Sequence, residues 1–314
     1  MDKVIVTGGM GFIGRHVVSE LLGNNFQVII IDNLETNDPA NVFKIPVQTI
    51  LPTQPPPNGV AGLLRNDIRK MHPAELLKVM KGAKYVFHLA ALPRVEPSIQ
   101  DPAKYHVSNV DATLKIFIAA KEAGVERVIF SSSSSVYGNS EIIPTPEDSS
   151  LDPMSPYALH KLIGEQYLEL FSKLYGLNSV SLRYFNVYGE GQPSQGAYVP
   201  VMGIFFRQSL ASQPLSITGD GEQTRDFVNV VDVAKANLAA ATADLENGHH
   251  VFNIGSGKNS SIKNIASQIS PNHTNLPPRF EPSVTLADIS KAEEKLGWKP
   301  MTSLNDWISE NKPL

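Results

Sequence analysis

Residues 1–185 alternate between two textures. Short β-branched runs at 4–6, 28–31, 85–87, 128–130 and 180–182 read as buried strands. Amphipathic stretches of helical length lie between several of them, at 12–22, 102–123 and 156–175. Gly124 and Gly176 follow two of these stretches directly, where a helix wants a left-handed residue. Strand–helix alternation of this kind predicts an α/β fold: a doubly wound, Rossmann-type parallel sheet with helices on both faces. After residue 190 the texture changes. Helix-like segments near 199–211, 230–243, 262–269 and 288–296 mix with short strands and Pro/Gly turns. This predicts a first domain over 1–189 and a smaller mixed α/β lobe over 190–314, with discontinuous packing between them.

The segment 39–64 breaks the pattern. Its core, IPVQTILPTQPPPNG, carries five of the chain's 23 prolines. Proline is excluded from central strands, so the segment is expected to be an irregular surface excursion between the second and third strands. Composition narrows the classes further. A formal charge of −4 over 314 residues gives no basic excess for nucleic acid or an anionic membrane. No run approaches the ~18 apolar residues of a spanning helix. The absence of cysteine removes disulfides and thiol nucleophiles and fits a reducing compartment, so a cytoplasmic protein is expected. No His/Asp/Glu cluster has metal-ligand spacing, and no metal is expected.

Two constellations carry chemistry. The first strand runs into Gly8, Gly9, Gly11 and Gly14 and then a helix. The glycines fit G-x-G-x-x-G from Gly9 or G-x-x-G-x-x-G from Gly8; the second frame places a glycine at the strand end. A pyrophosphate reaches a helix N-terminus only where no Cβ intervenes. The second strand ends in Asp32, a carboxylate suited to an adenosine ribose diol and repellent to a 2′-phosphate, which favours NAD over NADP. Further on, a strand ends in five serines, 131–135, whose hydroxyls can face the crevice of an open sheet. Then Pro156 opens a helix that carries Tyr157 and Lys161 one turn apart. An ammonium near a phenol favours the phenolate, so this pair predicts a general base for an alcohol. His160, between them, is expected to be a satisfied residue on the helix surface.

The ordered set TGGMGFIG at 7–14, Asp32, HLAAL at 88–92, SSSSSVYG at 131–138 and YALHK at 157–161 resembles the extended short-chain dehydrogenase/reductases. RYFNVYG at 183–189, GDGEQTRDFVNVVDVA at 219–234, FNIGSG at 252–257 and LADISKAEEKLGWKP at 286–300 narrow the resemblance to NAD-dependent UDP-sugar 4-epimerases, and most to those of UDP-N-acetylglucosamine and UDP-glucose. The resemblance implies catalysis by Ser133, Tyr157 and Lys161. It implies NAD held among Gly8, Gly11, Phe12, Ile13, Gly14, Asp32, Asn33, Asp67, Ile68, Leu89, Ala90, Ala91, Asn109, Ser131, Tyr157, Lys161 and Tyr184. A UDP-sugar would meet Arg94, Ser133, Asn186, Val201, Ser216, Arg225 and Thr285.

In the same comparison, Arg225 matches a diphosphate arginine, and Asp226 beside it would orient its loop. Thr285 matches a size gate near the sugar C2 substituent, and a small residue there favours N-acetylhexosamines. Arg279-Phe280-Glu281-Pro282 replaces the usual lead-in to that gate, which leaves Arg279 as a candidate second phosphate arginine. Ser134 and Ser135 stand where 4,6-dehydratases carry Asp-Glu, which leaves no acid for dehydration. UDP-glucuronate 4-epimerases usually carry Thr where Asn186 stands, yet Arg94 could bind a uronate carboxylate, so that activity is the alternative. A non-catalytic NAD-binding sensor or scaffold is the reading from another class. A homodimer through the helices near 102–123 and 156–175 is implied as well.

Overall fold

The computed structural model describes residues 1–36, 44–52, 54–193, 199–278 and 281–313. In chain order the strands are β1 Lys3–Thr7, β2 Gln27–Asp32, β3 Val47–Thr49, β4 Ala61–Arg65, β5 Ala83–His88, β6 Arg127–Ser133, β7 Ser179–Tyr184, β8 Asn186–Tyr188, β9 Leu215–Thr218, β10 Thr224–Asn229, β11 His249–Ile254, β12 Asn259–Ser261 and β13 His273–Leu276. The helices are α1 Phe12–Gly23, α2 Pro73–Met80, α3 Val95–Gln100, α4 Pro102–His106, α5 Ala112–Ala123, α6 Pro156–Tyr175, α7 Val201–Leu210, α8 Val230–Thr242, α9 Ile262–Ile269, α10 Ser290–Leu296 and α11 Leu304–Asn311. A π-helical turn, Val107–Asp111, joins α4 to α5.

Eight strands form one parallel sheet in the order β11-β7-β6-β5-β1-β2-β4-β3. Because side chains alternate across a strand, each strand feeds two cores. Val4, Val6, Val28, Ile30, Ile129, Val180 and Leu182 pack on α1 and α8 on one face. Ile5, Ile29, Ile31, Val86, Val128 and Phe130 pack on α2, α5 and α6 on the other. Burial of each such side chain contributes roughly 1.5–3 kcal/mol, and loss of a face would unseat a whole helix layer.

Three expectations change. Residues 39–64 are not wholly irregular: β3 and most of β4 lie inside that range. Proline is accommodated because β3 is the edge strand, where a missing N–H costs no ladder bond, and the carbonyl of Pro46 still accepts from Ala61. Residues 37–43 and 53 of this region lie outside the described residues. The chain also crosses the expected division at 189/190, because β11 pairs with β7 and α8 and α10 pack on the large sheet. The short apolar run of β11 carries no mark of which lobe it joins; only the open edge beside β7 decides it. What stands apart is a smaller core of Tyr188, Phe205, Leu215, Ile217, Phe227 and Ile265, from α7, α9, β8, β9 and β10. Finally, the long helix near 102–123 is split by the π turn, a local irregularity that recurs at functional sites.

Candidate active site

The carboxyl ends of β1, β2, β4, β5, β6 and β7 lie along one edge of the sheet, where open α/β folds bind their ligands. At β1 the chain turns sharply at Gly8, whose φ is +71°. A Cβ on Gly14 would stand 2.1 Å from the carbonyl oxygen of Gly8, so that glycine is needed by the protein itself. Gly11 differs: a Cβ there would meet only the same oxygen, at 3.3 Å. The open side of Gly11 is thus a cradle that a side chain would fill, at the N-cap of α1, whose first turn holds no acid. Phe12 and Ile13 form that first turn. At the end of β2, Asp32 accepts from the backbone N–H of Met10 at 2.9 Å and of Leu34 at 2.7 Å. Burial pushes its carboxyl up, while these two bonds and the Arg15 guanidinium oppose the shift. Such a cradle and carboxylate fit a dinucleotide.

The other expected cofactor residues line the same edge with differing freedom. Leu89, Ala90 and Ala91 follow β5, with Leu89 N–H on the Thr7 carbonyl and Ala90 N–H on the Thr7 hydroxyl. Asn33 accepts from Glu35 N–H and donates to the Glu35 carboxylate. Asp67 is ion-paired with Arg69 at 2.7 Å, and Ile68 beside it is buried. Asn109, in the π turn, spends its amide on the backbone of Leu92, accepting at 2.8 Å and donating at 2.9 Å. It therefore clamps the loop after β5. Ser131 and Tyr184 share a hydroxyl–hydroxyl bond of 3.0 Å, and Tyr184 also bonds Asn237. Of the serine run, Ser131 and Ser132 are buried, and Ser132 donates to Glu165.

Ser133, Tyr157 and Lys161 converge. The Ser155 hydroxyl caps α6 by accepting from Ala158 N–H at 3.1 Å, and Pro156 opens the helix. Tyr157 N–H donates to the Ser98 hydroxyl at 3.1 Å, which docks α3 on the start of α6. The Tyr157 phenol hydrogen-bonds Ser133, and Ser133 Oγ also accepts from Ser135. Lys161 Nζ donates to the Ser131 carbonyl at 2.6 Å, 5.8 Å from the centre of the Tyr157 ring. Burial pulls Lys161 down to about 8. Burial also pushes the Tyr157 phenol up, and the influences opposing that are Ser133 and the Arg94 guanidinium. The expected drop in the phenol through Lys161 is thus corrected: desolvation dominates, and the cation acting on the phenol is Arg94. His160 is corrected too. It is buried, not on the surface, with its ring 5.3 Å from that of His106, and its Nδ1 has no hydrogen-bond partner among the described residues.

Asn186, Arg225 and Thr285 gather around Asp226. Asn186 donates to the Asp226 carbonyl at 3.0 Å, and Thr285 N–H donates to the Thr224 carbonyl at 3.1 Å. The Asp226 carboxylate accepts from Ser256 N–H and Oγ, Gly257 N–H and Ala287 N–H, which pins the surrounding loops. Arg225 is buried and pairs with Glu281 at 3.0 Å. Ser216 sits on β9 and bonds Gln208, and Val201 opens α7. No hydrogen bond joins these two to the Asp226 group among the described residues. Arg94 caps α3 with φ of +88°, a strained conformation for a side-chain-bearing residue. Arg279 lies outside the described residues. Ser98, Glu165, Arg183 and Asn253 join the site without having been anticipated; only Glu165, one turn beyond Lys161, had a spacing that could have revealed it.

The family model described as the NAD dependent epimerase/dehydratase family matches residues 4–255. The chain belongs to this family. Its NAD dependence agrees with the cradle at Gly11 and with Asp32. The UDP-glucose 4-epimerase of Mycolicibacterium smegmatis is 33% identical over 98% of this chain and 96% of its own length. The UDP-N-acetylglucosamine 4-epimerase of Methanobrevibacter ruminantium, solved in complex with UDP-N-acetylmuramic acid, is 37% identical with a TM-score of 0.87, covering 98% of this chain and 96% of that one. The UDP-glucose 4-epimerase of Thermotoga maritima, solved with UDP-glucose, is 34% identical with a TM-score of 0.87 at the same coverage. No helix among the described residues of this epimerase-family chain is long and apolar enough to cross a membrane.

Proposed function

We propose that this family member catalyses the NAD-dependent 4-epimerisation of UDP-hexoses, taking N-acetylated sugars and plain ones. The observation that carries the proposal is the meeting of Ser133, Tyr157 and Lys161 on the sheet edge that also carries the glycine turn. Tyr157 as phenolate takes the proton from the sugar O4, and Ser133 holds that oxygen by hydrogen bonding. Bound NAD supplies the acceptor, and then the donor, of the C4 hydride. Arg94, from the loop before α3, is the cation that opposes the burial-driven rise of the phenol, and Lys161, held on the Ser131 carbonyl, lies on the same helix face one turn away. The transient 4-keto sugar turns within the site, and Tyr157 returns the proton to O4 when the opposite face has been presented.

The cofactor is proposed to lie along Gly8, Gly11 and Gly14, with its adenosine ribose on Asp32 and its remaining length against the residues after β4, β5 and β6. Asn186 and Arg225 are proposed to bind the nucleotide end of the substrate, with Arg225 exchanging Glu281 for diphosphate, a role suited to its fixed donor fork. Thr285 leaves volume for an N-acetyl group. A second reading, that the sugar carries a carboxylate, is favoured by Arg94, a cation facing Tyr157, and by the sugar acid bound to the M. ruminantium relative. Separate incubation with UDP-GlcNAc, UDP-Glc and UDP-GlcA, followed by NMR of the anomeric proton, tests both. Turnover of the first two supports the main reading; turnover of UDP-GlcA alone overturns it in favour of the second.

A homodimer is proposed through the α5 and α6 layer. Leu159 and Leu170 on α6 are 45% and 46% exposed, and Val107 in the π turn and Ile118 on α5 are exposed as well. Leu159 and Leu170 are eleven residues apart, which puts both on one face of α6. Sedimentation is expected to give twice the chain mass, and Leu159→Glu/Leu170→Glu the single mass; a monomeric wild type would remove the proposal.

A further inference from the structure

A run of buried polar side chains lies beneath the reactive groups, and the chemistry above does not use it. Glu165 is 4% exposed and Arg183 is 3% exposed. Arg183 donates to the Glu165 carboxylate through Nε at 3.0 Å and through Nη2 at 2.7 Å. The Ser132 hydroxyl donates to the same carboxylate. On its other side Arg183 donates to Tyr137 Oη at 2.8 Å and to the Glu147 carbonyl at 2.9 Å. Tyr137 donates to Asn253 at 2.7 Å, and Asn253 donates to the carbonyls of Thr145 and Asp288, next to the segment that holds Thr285.

A buried ion pair contributes little net stability compared with an apolar pair of the same volume. Its position suggests another use. Ser132 immediately precedes Ser133 on β6. Glu165 lies one helical turn beyond Lys161 and two beyond Tyr157 on α6. The Ser132–Glu165 bond therefore ties together the two elements that carry the reactive set. The β6–β7 register puts Ser132 opposite Arg183, so the ion pair grips the strand at that point.

We propose that Glu165, held by Arg183, is a positioning residue for the epimerisation: it fixes the Ser133 strand end against the Tyr157/Lys161 helix face and sets the charge beneath Lys161. The proposal rests on the 4-epimerase reading. Glu165 is the charge that opposes the burial-driven fall of Lys161. The other groups facing the pair are Arg94 before α3, with Tyr105 of α4 behind it, His88 on β5, Tyr184 on β7 and His160 on α6. None of them is an anion. Of the two protons carried by Tyr157 and Lys161, the working form has lost one. Removal of the Glu165 charge makes both losses easier, so both limbs of a bell-shaped pH profile move to lower pH.

Two variants test this. In Glu165→Gln both limbs of kcat/KM are expected to fall by about half a pH unit or more. In Ser132→Ala, which keeps the ion pair and is expected to fold, kcat falls about tenfold with KM within twofold and the limbs unmoved. The charge effect is also read without turnover. The phenolate absorbance assigned to Tyr157, by subtraction of Tyr157→Phe, is expected at lower pH in Glu165→Gln than in the wild type. A folded Glu165→Gln whose phenolate and limbs stay in place overturns the proposal, as does Ser132→Ala with wild-type kcat. An inactive wild type whose phenolate still moves on Glu165→Gln overturns the functional reading and leaves the charge placement standing.

Discussion

Alanine at Gly11 and alanine at Gly14 should have opposite consequences, although both sit in one turn. At Gly14 the new Cβ would lie 2.1 Å from the Gly8 carbonyl oxygen, 2.8 Å from Gly9 Cα and 2.9 Å from the Gly8 carbonyl carbon. All three neighbours are backbone, so relief requires the turn to part from α1 by about 1 Å. Overpacking of this kind costs about 1–3 kcal/mol or more. The higher helix propensity of alanine offsets about 1 kcal/mol of that. A net loss of ~2 kcal/mol lowers the Tm by roughly 3–6 °C in a chain of this size. At Gly11 the backbone has φ of −71°, open to any residue, and the Cβ meets one atom at 3.3 Å. Gly11→Ala should melt within about 2 °C of the wild type, since an N-cap change of this kind costs under about 1 kcal/mol. The methyl group would instead occupy the cradle. Thermal melting with and without added NAD separates the two effects. Saturating NAD at about 100 times Kd adds about 2.7 kcal/mol to the wild type, and Gly11→Ala should lose most of that rise. A Gly11→Ala protein that keeps the full NAD-dependent rise, or a Gly14→Ala protein that melts with the wild type, would refute the reasoning.

Tyr157→Phe should lower kcat by about 10³-fold while leaving the fold and NAD binding in place, because it removes the proton acceptor and one hydrogen bond to Ser133; turnover near the wild-type rate would sink the assignment. Thr285→Tyr should depress kcat/KM for UDP-GlcNAc about 10–100-fold relative to UDP-Glc, as overfilling a packed site costs about 1–3 kcal/mol; an unchanged ratio would show that Thr285 is no gate. His88 should make the protein acid-labile. Burial holds it neutral down to about 3, with its ring nitrogens bonded to Thr7 and Thr113, whereas it takes up a proton below about 6.5 when unfolded. The unfolded chain thus binds more protons between those values, and stability falls as pH drops from about 6.5 towards 3, by up to ~1.4 kcal/mol per pH unit from this residue. His88→Gln should flatten that part of a Tm–pH curve, and an unaltered slope would place the acid sensitivity elsewhere.

Regular elements were legible where the local pattern alone decides them. The helix expected over 156–175 is α6, because Ser155 and Pro156 mark its start and Gly176, at φ of +68°, its end. The strand runs around Val4, Val28, Val86, Ile129 and Val180 are the middle of the sheet, since β-branched runs buried on both faces have few other uses. The membership of β11 was not legible, because pairing with β7 joins residues some 70 positions apart. The same holds within the site. Tyr157 and Lys161 declare themselves through one helical turn. The Glu165–Arg183 pair and the Ser98 contact of Tyr157 depend on neighbours brought together only by folding. The electrostatics misled for a related reason: spacing brings Lys161 near the phenol, but the depth of burial, which raises the phenol, belongs to the assembled core.

In the proposed reaction the C4 hydride leaves the sugar and returns to it inside one site. A UDP-sugar carrying deuterium at C4, incubated with the protein in ordinary water and analysed by mass spectrometry and NMR, tests this directly. A mixture of the two C4 epimers with the deuterium kept at C4 is the expected result. Loss of the label to solvent as the epimer forms, or no epimer from any UDP-hexose, would contradict it.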